Sequence, residues 1–171
     1  DYTVVLAATC KQSVGFQMSR LKGADTEFEN VIVDEAARAN PLDLFIPLSR
    51  AGRRIVLVGD HRQLPHILEP DIEAQLDKSV SVATGIALKR SLFEKLFLEM
   101  QERQKKDGIK RTVTLDRQYR MHRILGDFVS NTFYEPYGEG FKSGRPDTDF
   151  EHDLSRYAGR VAAWVDLPLT A

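Results

Sequence analysis

Three short segments of this sequence carry side chains whose types and spacing could do chemistry. In Val31-Ile32-Val33-Asp34-Glu35, three aliphatic residues run directly into two acids. Burying both charges unpaired would cost several kcal/mol per ion, so the segment must deliver them to an edge, a metal, or both. An aspartate there could hold Mg²⁺, directly or through water, and the adjacent glutamate could orient and deprotonate an attacking water. The same residues also fit a solvated strand end with two surface acids. A second aliphatic run, Ile55-Val56-Leu57-Val58, leads through Gly59 into Asp60, and His61, Arg62 and Gln63 follow. Gly59 allows a tight turn, and Gln63 could touch a phosphate or the attacking water; ordinary turn chemistry is the alternative. The third segment is Leu115-Asp116-Arg117-Gln118-Tyr119-Arg120-Met121-His122. The planar guanidinium of Arg120 is a candidate phosphate clamp, and Tyr119 offers a face for stacking. By itself this segment fits any helix start equally well.

The elements that must position these groups follow from the pattern around them. Val4–Leu6, Val31–Val33 and Ile55–Val58 suit strands buried on both faces, as in a parallel sheet. Between the second and third, Asn40 can cap a helix, Pro41 suits its first position, Leu44, Phe45 and Leu48 have helical spacing, and Gly52 ends it. Strand, helix and strand over about thirty residues make a βαβ unit. In open α/β sheets ligands bind at the carboxyl ends of strands, where both acidic segments fall. Residues 69–90 have weak periodicity and read as an insertion. Ser91-Leu92-Phe93-Glu94 forms a capping box, and the helix behind it should bury Leu92, Phe93, Leu96, Phe97 and Met100, each worth roughly 1.5–3 kcal/mol when fully buried. Gln101–Lys110 reads as a polar connector with Gly108 as a stop. Thr112–Leu115 reads as a strand. Met121, Ile124, Leu125, Phe128, Val129 and Phe133 form the apolar stripe of one further helix, with Phe128 and Phe133 in the core. Residues 138–153 read as loop and Val161–Val165 as a last strand.

Composition bounds the remaining options. Among 171 residues, 42% are hydrophobic and 29% charged, an ordinary globular mixture. The formal net charge of −1 argues against a histone-like or tail-type nucleic-acid binder, but a motor can keep a local basic groove. Cys10 is the one cysteine, so no intrachain disulfide forms; an intracellular compartment is expected, with Cys10 as a small buried hydrophobe. No run of about 18 apolar residues spans a membrane. His61, His66, His122 and His152 match no common zinc spacing. Lys105, Lys106, Lys110 and Arg111 read as a solvated cluster, and Tyr134 and Tyr137 stay open as stacking candidates.

Together the three segments resemble superfamily 1B helicases of the nonsense-mediated-decay type. Val33-Asp34-Glu35-Ala36-Ala37 is similar to their motif II, Leu57-Val58-Gly59-Asp60-His61-Arg62-Gln63-Leu64-Pro65 to motif III, and Gln118-Tyr119-Arg120-Met121-His122 to motif IV. Ser91-Leu92-Phe93-Glu94 and Ser130-Asn131-Thr132-Phe133-Tyr134 resemble stretches between and after those motifs. The resemblance implies an incomplete α/β fold, a RecA-like parallel sheet with flanking helices, holding parts of two RecA-like domains: 1–108 the later part of the first and 109–171 the start of the second. It implies ATP and Mg²⁺ as cofactors and single-stranded DNA or RNA as partner. By the resemblance Asp34 holds the metal, Glu35 activates water, Gln63 senses the γ-phosphate and Arg120 acts as an arginine finger. Tyr119 stacks on adenine, Asp60 and Gln118 belong to the cofactor site, and Thr9, in Ala8-Thr9-Cys10, touches the nucleic-acid backbone. Arg38 stands where relatives often carry Gln, and His66 where a second Pro is common.

The sequence contains no Gly-x-x-x-x-Gly-Lys-Ser/Thr loop, so no lysine reaches the β- and γ-phosphates. The later motifs of the second domain are missing too, among them the family's second arginine finger, a group that can contribute ~10³–10⁵ in rate. The chain, opening at Asp1 before an expected strand at Thr3–Ala8, therefore reads as the middle of a motor, inactive alone and completed by the remainder of the helicase core. Its sheet edges make self-association a risk. Two other readings stay open: a degenerate helicase domain kept for protein or nucleic-acid binding, and a metal-dependent nuclease using Asp34, Glu35 and Asp60.

Overall fold

The computed structural model describes residues 5–22, 27–63 and 91–166. The insertion expected at 69–90, together with Leu64, Pro65 and His66, lies outside the described residues. The chain forms two compact units, 1–112 and 113–171.

The first unit is built on strands β1 (Phe28–Val33) and β2 (Ala51–Leu57), which pair in parallel with Val31 opposite Ile55 and Val33 opposite Leu57. Helix α1 (Phe16–Lys22) precedes them, and α2 (Pro41–Leu48) is the crossover of the expected βαβ unit. Asn40 caps α2 as expected, its side chain accepting from the Leu42 N–H at 2.9 Å, with Pro41 at the first position. The helix ends at Leu48, capped by Ser49, rather than at Gly52. Pro47 in the last turn removes a backbone donor, and Gly52 lies inside β2, where a Cβ would come within 2.8 Å of the Glu27 carboxylate. Helix α3 (Leu92–Asp107) completes the unit.

Val33, Ala36, Ala37, Leu44 and Phe93 form the core, with Val31, Leu48, Leu57 and Phe97 packed partly buried against it. Sequence patterning expected strands covered on both faces. Instead Ile32 is 69% exposed and Ile55 47%; the described sheet has two strands, with α2 packed against both. Residues 5–8, the described part of the strand expected at Thr3–Ala8, are without strand pairing; with Thr9 they border a cleft of 570 Å³ whose other wall is β1. Cys10 is half-buried rather than buried and leads into a 3-10 turn, Lys11–Val14.

Helix α3 runs through the segment expected to be a connector. Gln101–Asp107 is polar because it is an exposed helical face, composed of good helix formers and laced by Arg103–Glu99 at 2.7 Å and Lys105–Glu102 at 2.6 Å. Of its expected core side chains only Phe93 is buried; Leu92, Leu96, Phe97 and Met100 are half-buried. Gly108 is the stop: at φ 72° it adopts the left-handed conformation and donates to the Gln104 carbonyl at 2.9 Å.

In the second unit, the strand expected at Thr112–Leu115 is unpaired, and Val113 and Leu115 are exposed. A strand needs a neighbour for its backbone groups, and among the described residues of this unit only β3 (Arg117–Gln118) finds one, pairing in parallel with β4 (Lys142–Ser143). The helix expected across Met121–Phe133 is α4 (Arg123–Val129) followed by a π-helical turn, Ser130–Tyr134. Phe128 and Phe133, expected in the core, are 61% and 51% exposed. The buried positions are Gly126 and Ser130, four apart on one face. Residues 161–165, expected as a strand, are unpaired, and Trp164 is exposed.

Candidate active site

The two acidic segments of the first unit meet at the carboxyl ends of β1 and β2. After buried Val33, the chain emerges at Asp34 and Glu35, both exposed. An Asp34 carboxylate oxygen accepts from the Glu35 N–H at 2.9 Å. Glu35 has φ 53°, the one non-glycine residue with positive φ among the described residues. A left-handed residue there turns the chain sharply, so that Ala36 N–H can pair with the Val58 carbonyl at 2.8 Å, while Val58 N–H donates back to Val33 at 2.8 Å. The ladder thus continues past both strand ends and locks one turn to the other. Ala36 and Ala37 are nearly inaccessible, at 0% and 3%. A Cβ on Gly59 would lie 2.8 Å from the Ala37 backbone nitrogen, so close approach demands glycine here.

The turn after β2 organises itself around Asp60. Its carboxylate accepts from the Arg62 N–H at 3.0 Å and from the Gln63 side-chain amide at 2.9 Å. Gln63 is therefore aimed by Asp60. Two supports were not foreseen from the sequence. The His61 ring packs on Phe97 at 5.0 Å and Phe93 at 6.4 Å, and the Ser91 hydroxyl donates to the Ala37 carbonyl at 3.2 Å across 54 residues. Ser91 also accepts weakly from Glu94 N–H, at 3.5 Å. Its capping signal was legible; its second role, tying α3 to the turn after β1, had no local signal.

Thr9 lines the same 570 Å³ cleft as Asp34. Its hydroxyl is 3.1 Å from the Gln12 side-chain oxygen and accepts from the Gln12 N–H at 3.3 Å. The exchange fixes the turn that opens the 3-10 segment.

In the second unit, Gln118 is the hub. Its amide nitrogen donates to the Met121 carbonyl at 2.7 Å and to the Ser143 hydroxyl at 2.6 Å. Its amide oxygen accepts from the Arg120 and Met121 N–H groups at 2.8 and 2.9 Å. The turn so formed presents Tyr119 and Arg120 to solvent. His122 caps α4 by accepting from Ile124 N–H at 3.2 Å and lies 3.6 Å from Asp147, which Arg123 approaches at 3.4 Å. Thus Asp34, Glu35, Asp60 and Gln63 share one sheet edge with Thr9 on the adjoining cleft, and Gln118, Tyr119 and Arg120 share one turn of the other unit.

A parallel βαβ unit with polar turns at adjacent strand ends is α/β architecture with its polar side chains where such sheets bind ligands, and the family matches make it part of a RecA-like fold. The sequence relationships are narrower. Residues 1–68 match one family model described as an AAA domain, and residues 88–157 match a second with the same description. The chain is 36% identical over 132 residues to the ATP-dependent helicase NAM7 of Saccharomyces cerevisiae, covering 77% of this chain and 11% of that protein. It is 34% identical over 131 residues to the ATP-dependent helicase upf1 of Schizosaccharomyces pombe, covering 77% and 12%. To the regulator of nonsense transcripts 1 of Caenorhabditis elegans it is 32% identical over 131 residues, covering 77% and 10%. The chain belongs to the superfamily 1B helicase family of the nonsense-mediated-decay type. It spans 8–12% of the length of the curated relatives it matches.

Proposed function

We propose that this chain is part of an ATP-dependent helicase motor, in which hydrolysis of Mg-ATP drives movement along a single strand of nucleic acid. The observation that carries the reading is the locked pair of turns at the ends of β1 and β2, which sets Asp34-Glu35 beside Asp60-Gln63. Asp34 fits a magnesium site: it is exposed, it offers hard oxygen donors, and a single hydrogen bond to it is seen, on one oxygen, from its neighbour's N–H. The ion, when bound, would neutralise charge on the phosphates. Glu35 takes the proton of the attacking water, and its left-handed backbone projects it from the strand end. Gln63, held by Asp60, would contact the γ-phosphate. Tyr119 would stack on the base, and Arg120 would stabilise the charge that develops on the transferred phosphoryl group. Thr9 contacts the nucleic-acid backbone. The division near residue 108 separates the two RecA-like domains, the remainder of the helicase core completes the site, and the protein works inside the cell. The name of the Caenorhabditis elegans relative, which speaks of nonsense transcripts, makes RNA the first strand to test.

The test is nucleic-acid-stimulated ATPase activity of the full-length protein. Glu35→Gln should lower kcat by roughly 10²–10⁴, the range of a lost general base, with nucleotide binding retained. Arg120→Ala should lower it by about 10³ or more. The isolated chain should show no turnover; activity in it that Glu35→Gln abolishes would overturn the proposed need for a phosphate loop. Unchanged ATPase in both full-length variants would remove the motor assignment.

A further inference from the structure

Gln118 leaves no side-chain hydrogen-bonding capacity for a ligand. A side-chain amide has two N–H donors and two acceptor lone pairs, and all four are taken within the second unit: by Met121 and Ser143 on the nitrogen, and by Arg120 and Met121 on the oxygen. Its partner Ser143 comes from β4, 25 residues later. The backbone repeats the link, with Gly144 N–H donating to the Gln118 carbonyl at 2.8 Å.

Two glycines make this packing possible. A Cβ on Gly126, on the buried face of α4, would lie 2.9 Å from the Gln118 amide nitrogen and 3.0 Å from the Ser143 hydroxyl. A Cβ on Gly144 would overlap the Tyr119 ring itself. The ring therefore packs directly on glycine backbone and is 58% exposed. An exposed aromatic braced by backbone is preorganised to stack.

We propose that Gly144 directly, and Gly126 and Ser143 through Gln118, are positioning residues which seat the Tyr119 ring and fix the turn that carries Arg120. This rests on the reading of Tyr119 and Arg120 as nucleotide contacts. Gly144 acts on the ring, and so on nucleotide binding. Ser143 and Gly126 act on the Gln118 amide, and so on the Arg120 backbone and the rate.

Two measurements on the full-length protein test it. First, a fluorine-labelled tyrosine at position 119 reports the ring's surroundings without nucleotide; Gly144→Ala should move its resonance. Second, Gly144→Ala should raise KM for ATP by roughly five- to tenfold, the scale of a lost ring stack, and change kcat by less than about twofold. In a Tyr119→Ala background the same substitution should add nothing, since the two act on one interaction. Ser143→Ala should lower kcat more than it raises KM, and Ser143→Thr, which keeps the hydroxyl, should restore it. An unmoved fluorine resonance overturns the proposal, as does a KM increase of equal size in both backgrounds. A moved resonance with KM indifferent to Tyr119→Ala upholds the seating and removes Tyr119 from the nucleotide site.

Discussion

The turn after β1 and the turn after β3 both present polar side chains to solvent, yet they are held by opposite means. The first is held by backbone and apolar burial: Ala36 N–H on Val58, Val58 N–H on Val33, and a floor of Ala36, Ala37, Leu44 and Phe93. The second has a two-residue strand pair beneath it and is held by one side chain, with Gln118 making four hydrogen bonds around a glycine face. A backbone ladder tolerates many side chains as long as they are apolar. A side-chain network fixes geometry more tightly, but removing any one partner strands the others. The turn bearing the candidate base is thus a consequence of sheet formation, whereas the turn bearing Tyr119 and Arg120 is a separately built object.

Leu44→Ala is the strongest test of this contrast. Leu44 is fully buried beneath the β1 and β2 ends, and truncation should destabilise the first unit by ~2–5 kcal/mol. Segment-resolved hydrogen exchange should show faster exchange at Val31–Val33 and Ile55–Leu57, with the amides of Arg120 and Met121 unchanged. Equal acceleration in both places would mean that the two turns share one support, and the contrast would collapse.

The same contrast explains what was legible in the sequence. Aliphatic runs ending in acids gave β1, β2 and the edge they share, because period and burial suffice to specify a strand end. Asn40-Pro41 and Gly108 marked helix ends through local chemistry. The second unit departs from its sequence patterning where its stability comes from polar contacts. Sequence patterning sends Phe128 and Phe133 inward, but α4 packs through Gly126 and Ser130, because Gln118 and Ser143 need close approach and hydrogen bonds rather than bulk. Strand expectations at Thr112–Leu115 and Val161–Val165 failed because residue type cannot supply a pairing partner. Residue type and spacing single out Asp34, Glu35, Gln63, Tyr119 and Arg120, and the resemblance adds Thr9 and Gln118; the geometry adds supporting roles for Ser91 and His61, and adds Ser143 and Gly144, which no motif marks.

Backbone strain gives a smaller effect, confined to the first turn. Glu35 at φ 53° carries a left-handed penalty that glycine would not. Glu35→Gly should therefore raise thermal or denaturant stability by about 1 kcal/mol while abolishing ATP hydrolysis in the full-length protein. A loss of stability would show that the Glu35 side chain, not the backbone, holds the turn, and would bring the first turn closer to the second in kind.

The smallest effect lies where α3 ends, just before the second unit begins. Asp107 accepts two hydrogen bonds from the Arg111 guanidinium, both at 2.7 Å, and one from the Ile109 N–H at 2.9 Å. The Arg111 bonds first, and the backbone bond next, lower its pKa from 3.8 to about 2. A carboxyl whose folded pKa is depressed stabilises the fold above its unfolded pKa and loses that contribution as pH falls through the folded one. The window here is from about pH 4 down to about pH 2. The pair is solvent-exposed, so the energetic effect is small and weakened by salt. The Asp107 side-chain carbon resonance should titrate with a midpoint near 2, and Arg111→Ala should return it toward 3.8. A wild-type midpoint already at 3.8 would mean that the Arg111 fork does not close in solution, leaving Gly108 alone to end the helix between the two turns.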